Sequence, residues 1–391
     1  MRTVASVTAP SFTVTVTWIV ATSPAAKAKF RKANHSYASG DHESQMKAVR
    51  YDRFEGPLRL VDVPDPMPTP DGVVVRVRAS GLCRSDWHGW KGHDADVKVP
   101  HVPGHEFAGA VIETGKDVHK WRNGDRITVP FSMGCGTCER CRAGDEQICD
   151  RYYQPGFTGW GTFAEYVALP YADVNLVRLP DSMTFTTAAL LGCRFATAYR
   201  AVVGQGRTRP GEWVAVHGCG GVGLSATMIA QALDAHVIGV DIAGDKLELA
   251  RSCGAEIVID AKATADVAGA IRQMTGGGAH VSIDALGSPD TCRNSILSLR
   301  KRGRHIQVGL LLADQSEPPL PMSQVIAREL EIRGTHGLQA REYAGMLELI
   351  TRGRLHPEKL LGKTIALSQV GPELAGMDSF PGVGVTVAVL G

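Results

Sequence analysis

Apolar and polar positions alternate with a period of two through the part of the chain that follows Met46. Short valine-rich runs separated by glycine and proline continue to about Pro180; examples are MKAVRY, GVVVRVRASG and FAGAVIETG. Alternation of this kind between turn residues is typical of strands with one buried face. This region therefore predicts a mostly antiparallel β domain.

The pattern changes near Ala188, where a helical stretch at 186–203 begins. Apolar strands then alternate with amphipathic helices, which predicts βαβ units and a parallel sheet covered on both faces. The strands are expected at 213–218, 236–241, 256–261, 280–287 and 304–310, and the helices at 222–234, 246–254, 264–274 and 290–300. A last helix (343–353) and a last strand (383–391) suggest that both chain ends build the β domain around an inserted one.

Composition adds little to this organisation. The 391 residues are enough for two domains, and the formal net charge of +2 gives no basic balance that would favour nucleic acid. The sequence has no run of 18 or more apolar residues, the length expected of a membrane span. Nine cysteines, an odd number, are more typical of a reducing compartment. We therefore expect a cytoplasmic protein with neither nucleic-acid nor membrane partners.

Residues 1–45 differ from the rest, with five basic and two acidic residues in a segment rich in Ala, Ser and Thr. The segment lacks the long apolar centre and the small-residue cleavage site of a signal peptide. We expect a disordered extension, or an upstream start, with Met46 as the functional beginning.

Four cysteines form the most specific motif, C-x2-C-x2-C-x7-C within GCGTCERCRAGDEQIC: Cys135, Cys138, Cys141 and Cys149. Two-residue gaps allow neighbouring thiolates to converge, and four thiolates form the preferred shell of a structural Zn²⁺. A disulfide cluster is the alternative interpretation, but it would require an exported protein. Four thiolates close the metal's shell, so this site is predicted to be structural.

A glycine-rich loop follows the apolar run WVAVHG and opens a helix; it comprises Gly218, Cys219, Gly220, Gly221, Val222 and Gly223. Asp241 ends the next predicted strand, 23 residues after Gly218. This context is what a G-x-G-x-x-G dinucleotide motif requires. The carboxylate at Asp241 would accept hydrogen bonds from an adenosine ribose and repel a 2′-phosphate, so NAD(H) is favoured over NADP(H).

Three further metal-binding side chains are widely spaced: Cys83 in GLCRSDWHGW, His105 in PGHEFAG and Cys193 in GCRFATAY. Taken singly, each has an ordinary interpretation as a buried thiol or a core histidine. Together they offer two thiolates and one imidazole. A catalytic zinc site with three protein ligands and an open fourth position is built in this way.

These motifs, in this order, resemble those of the zinc-containing alcohol dehydrogenases in the medium-chain dehydrogenase/reductase family. The resemblance covers residues 46–391 and also includes GTFAEYV and VIGVDIAGDK. It implies an α/β fold in which a Rossmann dinucleotide-binding domain, a doubly wound parallel sheet, joins a β-rich GroES-like catalytic domain. The expected divisions are 1–45 (extension), 46–197 (catalytic), 198–337 (NAD-binding) and 338–391 (catalytic again).

The resemblance also implies a role for each matched residue. Cys83, His105 and Cys193 would bind a catalytic zinc, with Glu106 as an alternative or transient ligand. The remaining roles are an orienting carboxylate for His105 (Asp86), a proton relay through the cofactor ribose (Ser85 and His88), a pyrophosphate contact (Arg84), a nicotinamide neighbour (Thr197) and a partner of Asp241 at the adenosine ribose (Lys246). Zinc would act as the Lewis acid while NAD accepts a hydride from the alcohol. A homodimer or homotetramer is also implied.

Several points depart from the family pattern or leave alternatives open. Arg194 follows the third ligand where many relatives have a small residue, and no basic residue near the C-terminus is evident for the pyrophosphate. Trp87, Trp90 and His93 suggest a pocket narrowed toward small alcohols. The alternatives are a polyol or amino-alcohol dehydrogenase of the same family, a catalytically silent nucleotide sensor, and a zinc nucleic-acid module. The complete ligand and relay set argues against the sensor, and the absence of a basic patch argues against the module.

Overall fold

The computed structural model describes residues 44–312, 315–379 and 383–391. The expected N-terminal extension lies outside this range except for its last two residues. Gln45 is already the first residue of a strand.

The N-terminal part consists of strands broken by proline and glycine turns, as the period-two pattern predicts. The strands are β1 (Gln45–Arg50), β2 (Arg59–Pro64), β3 (Val73–Gly81), β4 (Glu106–Thr114), β5 (Arg126–Thr128), β6 (Tyr166–Leu169) and β7 (Val177–Arg178). Three short helices and one 3₁₀ turn lie between them: α1 (Arg84–Trp90), α2 (Glu139–Ala143), the turn Glu146–Ile148, and α3 (Ala172–Asn175).

A continuous helical passage follows, which confirms the helix predicted at 186–203. It contains two α-helical pieces separated and followed by wider π turns: α4 (Phe185–Ala188), Leu191–Phe195, α5 (Ala196–Tyr199) and Arg200–Gln205. Such π turns inside helices are frequent at functional sites, because the extra residue re-aims the side chains around it.

Strands and helices then alternate as predicted. The elements are β8 (Trp213–His217), α6 (Gly221–Ala232), β9 (His236–Asp241), α7 (Gly244–Ser252), β10 (Ile257–Asp260), α8 (Val267–Met274), β11 (Ala279–Asp284), α9 (Pro289–Leu297), β12 (Leu299–Gln307), α10 (Met322–Arg328) and β13 (Glu331–Gly334). The strand expected at 304–310 begins five residues earlier, at Leu299, which pairs with Ala279 of β11; the regular pairing with both β11 and β13 starts at Arg304.

The chain then returns to β structure through short elements. They are a 3₁₀ turn (Ala340–Glu342), α11 (Tyr343–Thr351), a second turn (Pro357–Leu360), β14 (Leu361–Ala366), a third turn (Leu367–Gln369), α12 (Val370–Ala375), a fourth turn (Gly376–Ser379) and β15 (Val385–Val389).

The strands β8 to β13 form one six-stranded sheet in the order β10-β9-β8-β11-β12-β13, with every neighbouring pair parallel. The order reverses direction between β8 and β11. In open parallel sheets of this kind, ligands bind beyond the carboxyl ends of the strands at that reversal. The carboxyl end of β8 leads directly into the glycine-rich loop.

The second large sheet has seven strands in the order β14-β15-β3-β4-β5-β7, with β6 paired to β3. Its pairs are antiparallel except for β14 with β15. Because β15 pairs with β3, the last strand of the chain completes the sheet of the first region. Strands β1 and β2 form a separate antiparallel pair.

The helical passage is held by the largest apolar cluster. Its fully buried Leu191 and Phe195 belong to the same cluster as Ala79 in β3 and Val216 in β8. Burying a side chain of this size stabilises the fold by about 1.5–3 kcal/mol. The turn that carries Cys193 is therefore anchored against strands of both sheets. Among the described residues, the helices are too short or too polar to cross a bilayer.

Candidate active site

Three separate segments deliver the widely spaced metal-binding residues to one point. Cys83 follows β3 and caps the N-terminus of α1, while His105 directly precedes β4, the antiparallel partner of β3. Cys193 arrives in the π turn of the helical passage. Ligand atoms of these three residues and of Glu106 all lie within 4.8 Å of one another. The structure thus brings together the four residues that the sequence singled out.

His105 is oriented by Asp86, and both side chains are fully or almost fully buried. Its Nδ1 lies 2.7 Å from Asp86 Oδ1, which also accepts a hydrogen bond from Gly104 N at 3.0 Å. Asp86 Oδ2 accepts from Cys83 N at 3.0 Å. His105 Nε2 is buried and has no hydrogen-bond partner in the part of the chain that the structure describes. An imidazole with one nitrogen on a carboxylate and the other unpartnered beside two thiols fits a zinc ligand.

The titratable groups of this cluster shift one another's pKa values. A hydrogen bond between the two cysteines lowers the pKa of Cys83 and raises the pKa of Cys193. Burial lowers the pKa of His105, but the Asp86 carboxylate outweighs burial, so the net shift is upward. Burial raises the pKa of Glu106, although the neighbouring Arg194 opposes that shift. Because a metal ligand must be deprotonated, zinc binding here would release protons.

The cysteine quartet forms a second cluster, with its four sulfur atoms also within 4.8 Å of one another. Tetrahedral ligands about 2.3 Å from zinc lie about 3.8 Å apart, and Cys138 Sγ and Cys149 Sγ are 3.6 Å apart. Backbone N–H groups donate to the sulfurs, from Cys135 to Cys149 at 3.3 Å and from Cys141 to Cys138 at 3.4 Å. The nine cysteines are all free thiols. This donor set fits a closed structural zinc site.

The four thiols of the quartet differ: burial raises the pKa of Cys141 and Cys149, whereas the pKa of Cys135 is lowered. Burial raises its pKa, but hydrogen bonds from the backbone and hydroxyl of Thr137 more than offset that, leaving the pKa at about 5. Arg151 adds a guanidinium, with Nη2 at 3.3 Å from Cys135 Sγ. A thiolate is the form that a metal requires.

The glycine-rich loop has the geometry of a phosphate-binding turn. Gly218 has a φ of +93°, a conformation that favours glycine. A Cβ on Gly223 would lie 1.8 Å from Gly218 O, so only glycine allows the helix to approach the strand so closely. Helix α6 starts at Gly221, and its N-cap Gly220 provides no side-chain acceptor. The first backbone N–H groups of α6 are therefore available to an anion.

Asp241 is fixed beside this loop. Its Oδ2 accepts a hydrogen bond from Cys219 N at 2.7 Å, and its Oδ1 accepts from Ile242 N and Ala243 N at 2.8 and 3.0 Å. These bonds hold the carboxylate at the end of β9, between the glycine loop and α7. Lys246 is close enough to this region for its charge to oppose the rise in the pKa of Cys219.

The predicted relay residues lie on α1. Ser85 Oγ is 3.7 Å from Cys83 Sγ, next to the metal cluster. His88 lies one turn later, and its Nδ1 is 3.0 Å from Nδ1 of His93. Burial lowers the pKa of His88, and the charges of Arg84 and His93 lower it further.

The two other residues predicted to contact the cofactor, Arg84 and Thr197, lie in α1 and α5. Arg84 stacks over the Trp87 ring at 4.3 Å and donates to Met377 O. Thr197 is buried in α5, four residues after Cys193. Trp87 is packed in the apolar core, so of the two tryptophans it is Trp90, half-buried, that remains a candidate pocket residue.

Two family models match the chain, one over each half. The model of the alcohol dehydrogenase GroES-like domain matches residues 69–181, and the model of the zinc-binding dehydrogenases matches residues 221–352. An alcohol dehydrogenase of Geobacillus stearothermophilus is 33% identical over 312 residues, which cover 79% of this chain and 90% of that protein. The chain belongs to the zinc-containing alcohol dehydrogenases.

Further similarities support the same zinc alcohol dehydrogenase family. A NAD-dependent alcohol dehydrogenase of Sulfurisphaera tokodaii is 33% identical over 356 residues, covering 88% of this chain and 100% of that protein. The solved structure of the alcohol dehydrogenase from Thermus sp. ATN1 matches with a TM-score of 0.80 at 31% identity, covering 88% of this chain and 99% of that chain. The predicted fold class and the predicted enzyme class, a zinc- and NAD-dependent alcohol dehydrogenase, are confirmed.

Sequence reasoning assigned no role to several residues beside the metal cluster of this alcohol dehydrogenase. Phe131 and Phe157 meet the His105 ring edge-on, with ring centroids 6.3 and 5.3 Å away, and His336 in turn contacts Phe131 at 5.1 Å. Arg194 binds Glu106. The signal for Arg194 was present in the sequence as a charge directly after a metal ligand. Nothing in the sequence indicated the aromatic neighbours, because their contacts depend on the fold.

Proposed function

We propose that this protein oxidises small alcohols with NAD⁺ at the centre formed by Cys83, His105 and Cys193, and reduces the corresponding aldehydes or ketones in the reverse direction. The observation that carries the proposal is the buried, unpartnered Nε2 of His105, held by Asp86 beside two cysteine sulfurs. This donor set fits a zinc with three protein ligands and one open position.

Zinc bound there would lower the pKa of the substrate hydroxyl as a Lewis acid, and NAD⁺ would accept the hydride. The protein's own residues then have to remove one proton and orient the reactants. Ser85 is the polar group next to Cys83 on the first turn of α1. We assign it the first step, in which its hydroxyl accepts the proton from the substrate oxygen while passing its own proton on toward His88.

The proton leaves the site at His88. This side chain is only partly buried and lies on the same helix as Ser85, three residues further on, so the two occupy one face. The lowered pKa of His88, caused by burial and by the charges of Arg84 and His93, keeps the imidazole neutral at pH 7 and ready to accept a proton. The close His93 provides a second imidazole for transfer to solvent.

NAD⁺ is the proposed cofactor rather than NADP⁺. The Asp241 carboxylate is held by three backbone N–H groups at the end of β9, so its charge cannot turn away from the ribose position. A 2′-phosphate would meet that charge directly. Gly218, Gly220, Gly221, Val222 and Gly223 would hold the pyrophosphate, with Lys246 and Thr197 at the adenosine and nicotinamide ends.

Small substrates are proposed because aromatic rings surround the metal cluster. Phe131 and Phe157 contact His105, and Trp90 is fixed by a hydrogen bond from its Nε1 to Gly56 O at 2.8 Å. Rigid rings of this kind limit the space beside the open metal position.

We further propose a homodimer or homotetramer. Strand β13 is at the edge of the six-stranded sheet and pairs with β12 on one side only among the described strands. Exposed apolar side chains occur in β13 and in α10, the helix that precedes it: Ile332 is 39% and Ile326 is 75% exposed. Unpaired edges with apolar neighbours are typical association surfaces. Light scattering should report a defined oligomer for the wild type and a smaller species for Ile326→Asp.

The decisive test combines metal content with activity. Purified protein should contain two zinc ions per chain and form NADH when ethanol is added. Cys83→Ser should retain one zinc and a folded chain but lose activity, whereas Cys138→Ser should lose the other zinc and stability. A protein with a single zinc that depends on Cys138 but not on Cys83, and that has no activity, would contradict the proposal.

A further inference from the structure

A buried arginine adjoins both the metal cluster and the cofactor loop. Arg194 follows Cys193 in the π turn, and its side chain is only 13% exposed. Its backbone N–H donates to Glu106 Oε1 at 3.0 Å, and its Nε lies 3.0 and 3.1 Å from the two carboxylate oxygens. Nη2 makes a further contact with Oε2. Charges this deeply buried persist only when they are paired, so each of the two residues requires the other.

This pair determines what Glu106 can do. A carboxylate oxygen of Glu106 lies within 4.8 Å of the ligand atoms of the other three residues, so a free carboxylate could join the metal. In the structure both of its oxygens are engaged by the arginine. Arg194 would therefore compete with a metal ion for the Glu106 carboxylate.

The Arg194 side chain also lies against the glycine-rich loop. A Cβ added to Gly221 would lie 2.7 Å from Arg194 Cδ and 3.6 Å from its Nε. The side chain therefore runs across the first residue of α6, where the pyrophosphate is expected. Its Nη1 has no hydrogen-bond acceptor among the described residues. Apart from Arg84, which the family resemblance assigns to the pyrophosphate, neither the loop nor the final strand β15 offers a charged side chain that could neutralise it.

We propose that Arg194 is a cofactor-binding and positioning residue that links the metal site to the dinucleotide. Its Nε and Nη2 hold Glu106 off the metal, and its Nη1 donates to the pyrophosphate of the bound cofactor. This inference rests on the proposed assignment of Cys83, His105 and Cys193 to the catalytic zinc and of the glycine loop to NAD.

The first test measures NADH affinity by fluorescence titration of the zinc-loaded protein. Arg194→Gln should weaken NADH binding about 10- to 100-fold, the range of one charge-assisted hydrogen bond. Arg194→Lys should recover part of that loss, because the charge remains. The matched control is Arg200→Gln, which removes an arginine from the same helical passage that contacts Gln339 and Asp145 instead. The control should bind NADH like the wild type.

The second test reports on Glu106 and does not require turnover. With Co²⁺ in the catalytic site, Arg194→Gln should release Glu106 and change the visible absorption bands of the metal. The double variant Arg194→Gln/Glu106→Gln should restore the wild-type bands. A merely structural role for Arg194 predicts no such reversal. If Arg194→Gln does not fold, Arg194→Lys carries both tests, with a smaller loss of NADH affinity and a smaller spectral change, because the retained charge still attracts Glu106.

Two outcomes would overturn the inference: NADH affinity within twofold of wild type in both Arg194 variants, or an equal loss in Arg200→Gln. An unchanged cobalt spectrum in Arg194→Gln would show that Arg194 does not hold Glu106 off the metal. The proposed function fails differently, since it requires the wild type to oxidise alcohols. A wild type that binds NADH but oxidises no alcohol would refute the function while the affinity comparison still tests Arg194.

Discussion

Replacing Asp86 by asparagine should separate the two proposed zinc sites of this protein. Asp86 is 1% exposed and accepts three hydrogen bonds, from His105 Nδ1, Gly104 N and Cys83 N. Asparagine keeps the size and shape of the side chain but offers one acceptor and one donor. All three partners are N–H donors, so in either orientation the NH₂ of the asparagine amide faces at least one of them.

The two orientations differ in what they cost. With the amide oxygen toward His105 and Gly104, the amide NH₂ faces Cys83 N, and one buried donor loses its partner at a cost of about 1–3 kcal/mol. With the amide reversed, its NH₂ faces His105 Nδ1 and favours the tautomer with a proton on Nε2, which cannot bind zinc. In the first orientation the two remaining bonds also lose the negative charge of their acceptor.

Loss of an orienting carboxylate behind a metal-bound histidine typically weakens metal affinity 10- to 100-fold, or about 1.4–2.8 kcal/mol. We expect Asp86→Asn to lose its catalytic zinc to a competing chelator at a concentration 10- to 100-fold lower than the wild type requires. The quartet should keep its zinc in the same titration, because Asp86 makes no contact with it among the described side chains. The measurement is zinc per chain against chelator concentration, which should show a plateau at one.

A matched control is Asp125→Asn. Asp125 is also a buried carboxylate of the β-rich unit, and it forms a two-pronged ion pair with Arg178. This variant should lower the unfolding temperature and leave both zinc affinities unchanged. If Asp86→Asn held both zinc ions as tightly as the wild type, the assignment of His105 as a ligand oriented by Asp86 would be wrong.

Three further substitutions test the relay, the cofactor preference and the pocket. His88→Gln should lower kcat for alcohol oxidation on the order of tenfold at pH 7. Burial and the neighbouring charges lower the pKa of His88 below 6.5, so the wild-type rate should fall as the pH drops through that pKa. This fall at low pH should be absent in His88→Gln and still present in His119→Gln, the control at a surface histidine. Asp241→Asn should raise the ratio of kcat/KM for NADP⁺ to kcat/KM for NAD⁺ about tenfold or more, because the repelling charge is gone. The control Asp260→Asn, at the end of β10, should leave the ratio unchanged. An unchanged ratio in Asp241→Asn would refute the assignment of Asp241 to the adenosine ribose. Trp90→Leu should raise kcat/KM for bulky secondary alcohols relative to ethanol, and a wild type that uses both classes equally would contradict the narrow pocket.

Local motifs could be predicted from the sequence because their geometry is determined over a few residues. The spacing of the cysteine quartet brings its sulfurs together whatever the rest of the chain does, and the loop at Gly218 follows directly from a strand and opens a helix. The presence of a parallel sheet also follows from the regular alternation of strands and helices. The early start of β12 could not be predicted, because LRKRG is polar and joins the sheet through a tertiary contact, the pairing of Leu299 with Ala279 of β11.

The catalytic cluster could be predicted from the sequence only in part. Its ligands come from three segments, and the sequence joined Cys83, His105 and Cys193 only through their shared ligand chemistry and the family resemblance. The registration of β3 against β4 explains the convergence, since Gly81 pairs with Glu106 and places the residues at the two strand ends side by side. Such a contact depends on strand pairing across 25 residues, and no pattern within either strand specifies it.

Arg194 and Glu106 show how a tertiary contact can nevertheless leave a trace in the sequence. Each is a charged residue in an apolar context, LLGCRFATA and PGHEFAGA, and each alone would be costly to bury. Two such anomalies, each adjacent to a metal ligand, have a common solution only if the charges meet, as they do across 88 residues of chain. Replacing Glu106 by glutamine should therefore destabilise the fold through an unpaired buried guanidinium, by about 3–5 kcal/mol. Thermal unfolding of Glu106→Gln, Arg194→Gln and the double variant would measure this coupling, and additive losses in the double variant would show that the two charges do not depend on each other.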